Sequence, residues 1–396
     1  MSEALTAPDF TTIPVGPLAL IALPGCEELA AKIDAYLKTW REIRESEHKT
    51  TIAFSGYQRD SYLVKAAFPR FGSGEAKCHI QQSVRGYDIF IVCDMFNYGM
   101  TYKMYGRDNM MSPDDHYANL KRAISAIGGK ARRITVIMPM LYEGRQHRRS
   151  SRESLDCAMA LQELSGVDNI ITFDAHDARV QNAIPNHGFE NIQPAYQMIK
   201  ALVKNVTDLK IDNDHLMIIS PDEGGMSRCI YYSTVLGVDL GMFYKRRDYS
   251  VVIDGRNPII AHEFLGDNVE GKDVIIVDDM ISSGDSMIEV ATKLKELKAR
   301  RIFVCTCFGL FCNGLESFDK AYENGLISKV FTTNLIYRTP ELKQREWYVE
   351  VDLSKYISYV IDTLNHDTSV SKLLDPKDRI NKLLVDKGFR TAEEVK

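Results

Sequence analysis

The feature that most limits how this chain can fold is a recurring pair: a short aliphatic run, closed by a polar or glycine-containing turn, followed by an amphipathic stretch. Such runs occupy residues 18–22, 88–93, 134–138, 169–172, 216–220, 274–277, 302–306 and 330–335. Between several of them, apolar residues recur at helical spacing: Ala158, Leu161 and Leu164 share one helix face, and Ile288, Ala291, Leu294 and Leu297 share another. Strands that are apolar throughout must be buried on both sides. Alternation with helices therefore predicts α/β architecture built on mostly parallel sheets with helices on both faces. In sheets of this kind ligands bind beyond the carboxyl ends of the strands.

Five strand ends carry unusually polar sequences. They are Met138 and Pro139 running on to Arg145 and Gln146; Asp174, Ala175 and His176; Ser220, Pro221, Asp222, Glu223, Gly224 and Gly225; Lys245, Arg246 and Arg247; and Asp278, Asp279 and Met280. Two fall in each half of the chain, with the lysine–arginine element between those of the second half. The distribution predicts two similar domains, residues 18–193 and 194–374, followed by a polar tail over 375–396. No sharp internal repeat accompanies the division. Residues 41–61 and 97–115 read as polar surface insertions. Length agrees, since 396 residues exceed one ordinary core and suit two.

Composition narrows the class of partner. Apolar residues make up 45% and charged residues 26%, and the net charge is only −5, so no global basic field argues for nucleic acid. Any anion site must be built locally. No apolar run is long enough for a membrane-spanning helix, and Met1, Ser2 and Glu3 do not begin an export signal. The expectation is a cytoplasmic protein. Its eight cysteines match no zinc spacing and are expected to be reduced and mostly buried.

The most specific chemical signal is the segment 274–286. An apolar strand ends in the acids Asp278 and Asp279; Ser282, Ser283 and Gly284 form a small-residue loop; and Asp285 and Ser286 open a helix. Ser286 and Glu289 have capping-box spacing. Free N–H groups at a helix start receive anions such as a sugar phosphate, while paired carboxylates can hold ribose hydroxyls or a hydrated cation. This segment resembles the phosphoribosyl-diphosphate loop of the type I phosphoribosyltransferase fold.

Other motifs decide among the enzymes that share that loop. Phe71, Gly72, Ser73, Gly74 and Glu75 come first, then Ser83 to Asp88, then Arg145, Gln146 and His147. Asp174, Ala175 and His176 follow, and then Ser220 to Arg228. In order and spacing these resemble the ribose-phosphate pyrophosphokinases over approximately residues 18–374. The resemblance implies two phosphoribosyltransferase-like domains, the first with ATP-binding elements and the second with the ribose 5-phosphate loop. It implies transfer of the β,γ-pyrophosphoryl group of ATP to the C1 hydroxyl of ribose 5-phosphate, with Mg²⁺ as cofactor. It further implies a homo-oligomer, based on dimers and up to a hexamer.

Residue by residue, the resemblance places Phe71 and Glu75 near the adenine, contributed by a neighbouring subunit. Arg145, Gln146 and His176 join them as ATP-binding residues. Lys245 and Arg247 match a catalytic pair on a closing loop. Asp222, Asp278, Asp279, Ser282, Ser283, Gly284, Asp285 and Ser286 match the ribose 5-phosphate site, and His176 and Asp222 match magnesium positions. Four residues depart from the family pattern: Ser73 and Ser282 replace acidic or amide residues, His147 replaces an acid, and Asp285 replaces a glycine. They leave open a non-catalytic regulatory relative, or a pyrophosphokinase for another ribosyl 5-phosphate.

Overall fold

The computed structural model describes residues 12–46, 56–247, 259–391 and 393, and the side chains of residues 46, 245–247 and 259–262 lie outside that description. In chain order the first elements are β1 (Leu18–Ala22), α1 (Glu27–Ser46), β2 (Ala66–Ala67), β3 (His79–Ile80), β4 (Asp88–Val92), β5 (Thr101–Met104) and β6 (Arg107–Met110). Next come α2 (Pro113–Ile127), β7 (Arg133–Ile137), α3 (Asp156–Glu163), β8 (Asn169–Phe173), β9 (Gly188–Ile192), α4 (Ala195–Asn205), β10 (Leu216–Ser220) and α5 (Met226–Leu236). There follow β11 (Asp239–Arg247), β12 (Ile259–Leu265), β13 (Asp273–Ile281), α6 (Asp285–Glu296), β14 (Arg301–Gly309), α7 (Glu316–Glu323) and β15 (Lys329–Thr333). The chain closes with α8 (Pro340–Lys343), β16 (Tyr348–Val351), α9 (Ser354–Asn365), α10 (Ser371–Leu374) and α11 (Lys377–Asp386). The packing forms two compact units.

The first unit comprises Met1–Gln193, Asn334–Tyr337 and Asp352–Leu374. Its five-stranded sheet has the order β1-β4-β7-β8-β9 and is parallel throughout. Ile89, Ile91 and Val136 pack with Tyr117, Leu120 and Ala123 of α2 and with Leu161 of α3. The intervening strand residues Leu20, Phe90 and Ile137 are equally buried, as expected when both faces are covered. Helix α9 packs against α1, where the Trp40 and Tyr359 rings stack at 4.3 Å. Residues 352–374 therefore pack with the first unit, whereas the sequence division placed them with the second.

The second unit comprises Pro194–Thr333, Arg338–Val351 and Asp375–Lys396. Its seven-stranded sheet runs β12-β11-β10-β13-β14-β15-β16, parallel except for the β11–β12 pair. Val274, Ile276, Ile302 and Val304 pack with Val290, Ala291 and Leu294 of α6. Residues 375–396, expected to form a polar tail, contain α11 instead, which packs on α4 and α5. Its Ile380 and Leu384 are fully buried, and Arg390 donates to the Val235 carbonyl at 2.8 Å.

Candidate functional site

In the second unit the candidate residues collect at the carboxyl ends of neighbouring parallel strands. Strand β10 pairs with β13 so that Ile219 lies beside Ile276, which brings Asp222 and Asp278 to the same edge of the sheet. Beyond β10 the chain turns sharply: the Asp222 carboxylate accepts from the backbone N–H of Gly224 at 2.9 Å, and Ser220 Oγ donates to the Asp222 carbonyl at 2.7 Å. A Cβ at Gly225 would lie 2.9 Å from Ser220 Oγ, so a side chain there would press on the hydroxyl that caps the turn.

Asp278 and Asp279 occupy the end of β13, the first partly buried and the second buried. The Asp279 N–H donates to Asp278 Oδ1 at 2.9 Å. Burial first, and the adjacent Asp279 charge second, push the Asp278 carboxyl well above the usual carboxylate range, and Arg228 offsets only part of this. Arg228 Nη1 stands 3.7 Å from Asp278 Oδ1. Arg228 had no role assigned from sequence. Its signal was its place on the first turn of α5, directly after the Asp222 turn.

Helix α6 begins at Asp285, with Gly284 as its N-cap at φ 96° and no side-chain cap. The capping box expected of Ser286 and Glu289 therefore does not form. Glycine at a left-handed φ admits the chain to the helix two residues earlier, so Ser286 already lies inside the first turn. A Cβ on Gly284 would fall 2.2 Å from the Phe318 ring, so the loop is pressed on the core. Ser282 and Ser283 are partly buried and Asp285 and Ser286 exposed, and the Asp285 N–H points to Ser283 Oγ at 3.4 Å. The first N–H groups of a helix have no intrahelical acceptor, so this start offers donors to an anion.

Lys245 and Arg247 lie on the last residues of β11, in register with His262 and Ile259 of β12, with a register shift between Arg246 and Arg247. Their side chains lie outside the described ones, as do residues 248–258 entirely.

In the first unit, Phe71 sits on a tight turn: its N–H donates to the Glu75 carbonyl at 2.7 Å, and Gly74 N–H returns to the Phe71 carbonyl at 2.9 Å. The ring is 54% exposed, which excludes core packing as its purpose. Ser73 Oγ donates to the Glu75 carboxylate at 3.0 Å, so the serine departure is satisfied within the turn.

A second group forms where β7 and β8 end. Arg145 is exposed, and the Gln146 side chain donates to the Ser154 carbonyl at 3.1 Å. His176 is exposed and its ring stands edge-on to His147, centroids 5.3 Å apart. His147 Nε2 lies 3.4 Å from Asp177, whose carboxyl is held far below the usual range, first by hydrogen bonds from Arg179. The preceding Asp174 is buried at φ 41°. Left-handed backbone at a non-glycine residue marks a site where the chain is held against its preference. His147 thus links the two strand-end loops, a role invisible in the linear sequence.

Among the described residues no group of three or more His, Cys, Asp or Glu side chains is arranged to hold a metal ion by itself. Magnesium is commonly bound through one or two carboxylates together with water and substrate phosphates rather than by a dedicated protein cage. No helix among the described residues is long and apolar enough to cross a membrane.

Comparison with known proteins gives one consistent answer. Residues 18–167 match the family described as the N-terminal domain of ribose phosphate pyrophosphokinase, and residues 187–333 match the phosphoribosyl transferase domain. The ribose-phosphate pyrophosphokinase of Shewanella oneidensis is 30% identical over 324 residues, 78% of this chain and 91% of that protein. That of Ralstonia nicotianae is 34% identical over 253 residues, 62% of this chain and 70% of the relative. The crystal structure of phosphoribosylpyrophosphate synthetase from Mycobacterium smegmatis superposes with a TM-score of 0.67 at 20% identity, covering 88% of this chain and 99% of that one. This likeness establishes the two-domain α/β fold.

Proposed function

The chain belongs to the ribose-phosphate pyrophosphokinase family, and on that premise we propose how its own residues carry the transfer of the β,γ-pyrophosphoryl group of ATP to the C1 hydroxyl of ribose 5-phosphate. The observation that carries the reading is the second-unit loop: two carboxylates at the end of β13, then Gly284 turning the chain into the N-terminus of α6. The backbone N–H groups of residues 283–286 and the hydroxyls of Ser282, Ser283 and Ser286 receive the 5-phosphate. Asp278 and Asp279 accept from the ribose hydroxyls, which relieves the charge crowding that burial imposes on Asp278. Asp285, exposed in the first turn of α6, suits the helix dipole and leaves the phosphate seat clear.

ATP is held by the first unit. Phe71 stacks on the adenine, Glu75 stays beside it, and Arg145 with Gln146 engages the triphosphate, the guanidinium as a forked donor. His176, braced by His147, faces the phosphates. When bound, Mg²⁺ would neutralise phosphate charge; Asp222 of the second unit would hold it, and His176 of the first would act on or beside a bound water. The C1 oxygen forms the new bond to the β-phosphorus, the bond from that phosphorus to the α,β-bridging oxygen breaks, and the C1 hydroxyl proton is released as AMP departs. Lys245 and Arg247 stabilise the charge that grows on the departing AMP. The assembly is a homo-oligomer in which Phe71 reaches a neighbouring subunit's nucleotide.

Calorimetry with paired ligands tests the loop assignment. Ribose 5-phosphate should bind at least 100-fold more tightly than ribose, because the phosphate supplies most of the contact. Equal affinity for the two sugars would remove the loop from the site.

A further inference from the structure

The sequence reading treated residues 97–115 as a surface insertion, and the proposed function leaves them without a role. The structure gives them one. Strands β5 and β6 form an antiparallel hairpin, Thr101 opposite Met110 and Met104 opposite Arg107, and its tip is fastened to the turn that carries Phe71. Tyr105 N–H donates to the Gly72 carbonyl at 2.8 Å. Gly74, at φ 94°, passes so close beneath the hairpin that a Cβ there would lie 2.6 Å from Met104 Sδ.

The base of the same turn is clamped as well. Arg70 Nη1 donates to the Gly74 carbonyl and to Asp115 Oδ1, both at 3.1 Å. Its guanidinium lies 4.2 Å from the centre of the Tyr102 ring. Asp115 is itself fixed, because it forms the capping box of α2 with Ser112. The root of the hairpin is tied down by Met111 N–H on the Met100 carbonyl at 2.9 Å and by the Tyr98 and Tyr337 rings, edge to face at 5.1 Å.

A five-residue turn with an exposed aromatic at its first position has little to order it by itself. Here backbone hydrogen bonding, a cation–π contact and a charge-assisted hydrogen bond from outside the turn all converge on it. We propose that the β5–β6 hairpin is the positioning element of the nucleotide-base turn, holding Phe71 preformed for the purine of ATP through the Tyr102–Arg70–Asp115 clamp and the Tyr105–Gly72 hydrogen bond. The proposal rests on the reading that Phe71 contacts the base. A preformed turn binds more tightly because the ordering cost is met before the ligand arrives. The hairpin touches no reacting atom, so its effect falls on ATP affinity rather than on the transfer step.

The test compares Tyr102→Ala, Tyr102→Phe and Phe71→Ala in the full-length protein. Tyr102→Ala should raise KM for ATP about five- to tenfold, the worth of a partly buried cation–π contact, with kcat and KM for ribose 5-phosphate within twofold of the parent. Tyr102→Phe keeps the ring face and should restore KM. In a Phe71→Trp background, Tyr102→Ala should lower the fluorescence anisotropy of the introduced indole before any nucleotide is added. Unchanged KM for ATP and unchanged anisotropy in Tyr102→Ala would overturn the proposal while leaving the base-turn reading intact, provided Phe71→Ala raises KM for ATP. If Phe71→Ala leaves KM for ATP unchanged, the base-turn reading itself fails and the proposal falls with it.

Discussion

Single residues carry the chemistry here in two different ways. Gly284 acts through what it lacks: its φ of 96° and the Phe318 ring 2.2 Å from a hypothetical Cβ leave no room for a side chain. Gly284→Ala should cost about 1–3 kcal/mol in urea unfolding and weaken ribose 5-phosphate, because relief requires the phosphate loop to move off the core. A variant with parental affinity and midpoint would show that the loop is not so constrained. In the proposed reading, Lys245 and Arg247 act through charge delivered in the transition state. Their replacement by Ala should lower kcat ~10²–10³-fold and change KM for either substrate little. Steady-state kinetics in both substrates decide it, and a rise in KM at parental kcat would make them ground-state binders. Asp278 and Asp279 stand out in the sequence as paired acids at a strand end, and Arg145 and Asp222 stand out through the family resemblance. Arg228 and the His147–Asp177 contact do not. They are adjacent only after the strands align.

At the level of elements, continuous aliphatic runs announced themselves and mixed ones did not. Strands β1, β4, β7, β8, β10, β13, β14 and β15 each contain such a run, buried on both faces. The β5–β6 hairpin, TYKM and RDNM, is polar and reads as a surface insertion, while the mixed sequence of β11, DLGMFYKRR, shows only its polar end, Lys245 to Arg247, as a strand end. The expected tail fails as a tail for a physical reason already in its spacing: Ile380 and Leu384 recur at helical period and reach α4 and α5. Leu384→Ala should therefore destabilise the protein by about 2–5 kcal/mol, read as a shift in the denaturation midpoint at constant slope. A shift below about 0.5 kcal/mol would mean that α11 is not part of the core.

Across the molecule, one buried polar cluster contributes to the response to acid. Arg41 and Arg44 share the carboxylate of Asp362 beside Tyr57 and His366. Burial, chiefly, pulls His366 down to about 4 against an ordinary value near 6.5, and the two guanidinium groups add to this while Asp362 opposes it. The folded state therefore keeps His366 neutral where the unfolded chain would protonate it. Its contribution is fully present above about pH 6.5, is lost as pH falls toward 4, and changes no further below that, worth up to ~3 kcal/mol. Urea unfolding across that range should show falling stability that His366→Gln flattens; an unchanged slope would acquit this residue.

The proposed pyrophosphoryl transfer is read directly from its products. Purified protein incubated with ATP, Mg²⁺ and ribose 5-phosphate, followed by ³¹P NMR, should form AMP and 5-phosphoribosyl 1-diphosphate in equal amounts, with no AMP when the sugar is omitted. Formation of ADP in place of AMP, or no AMP above background at saturating substrates, would contradict it.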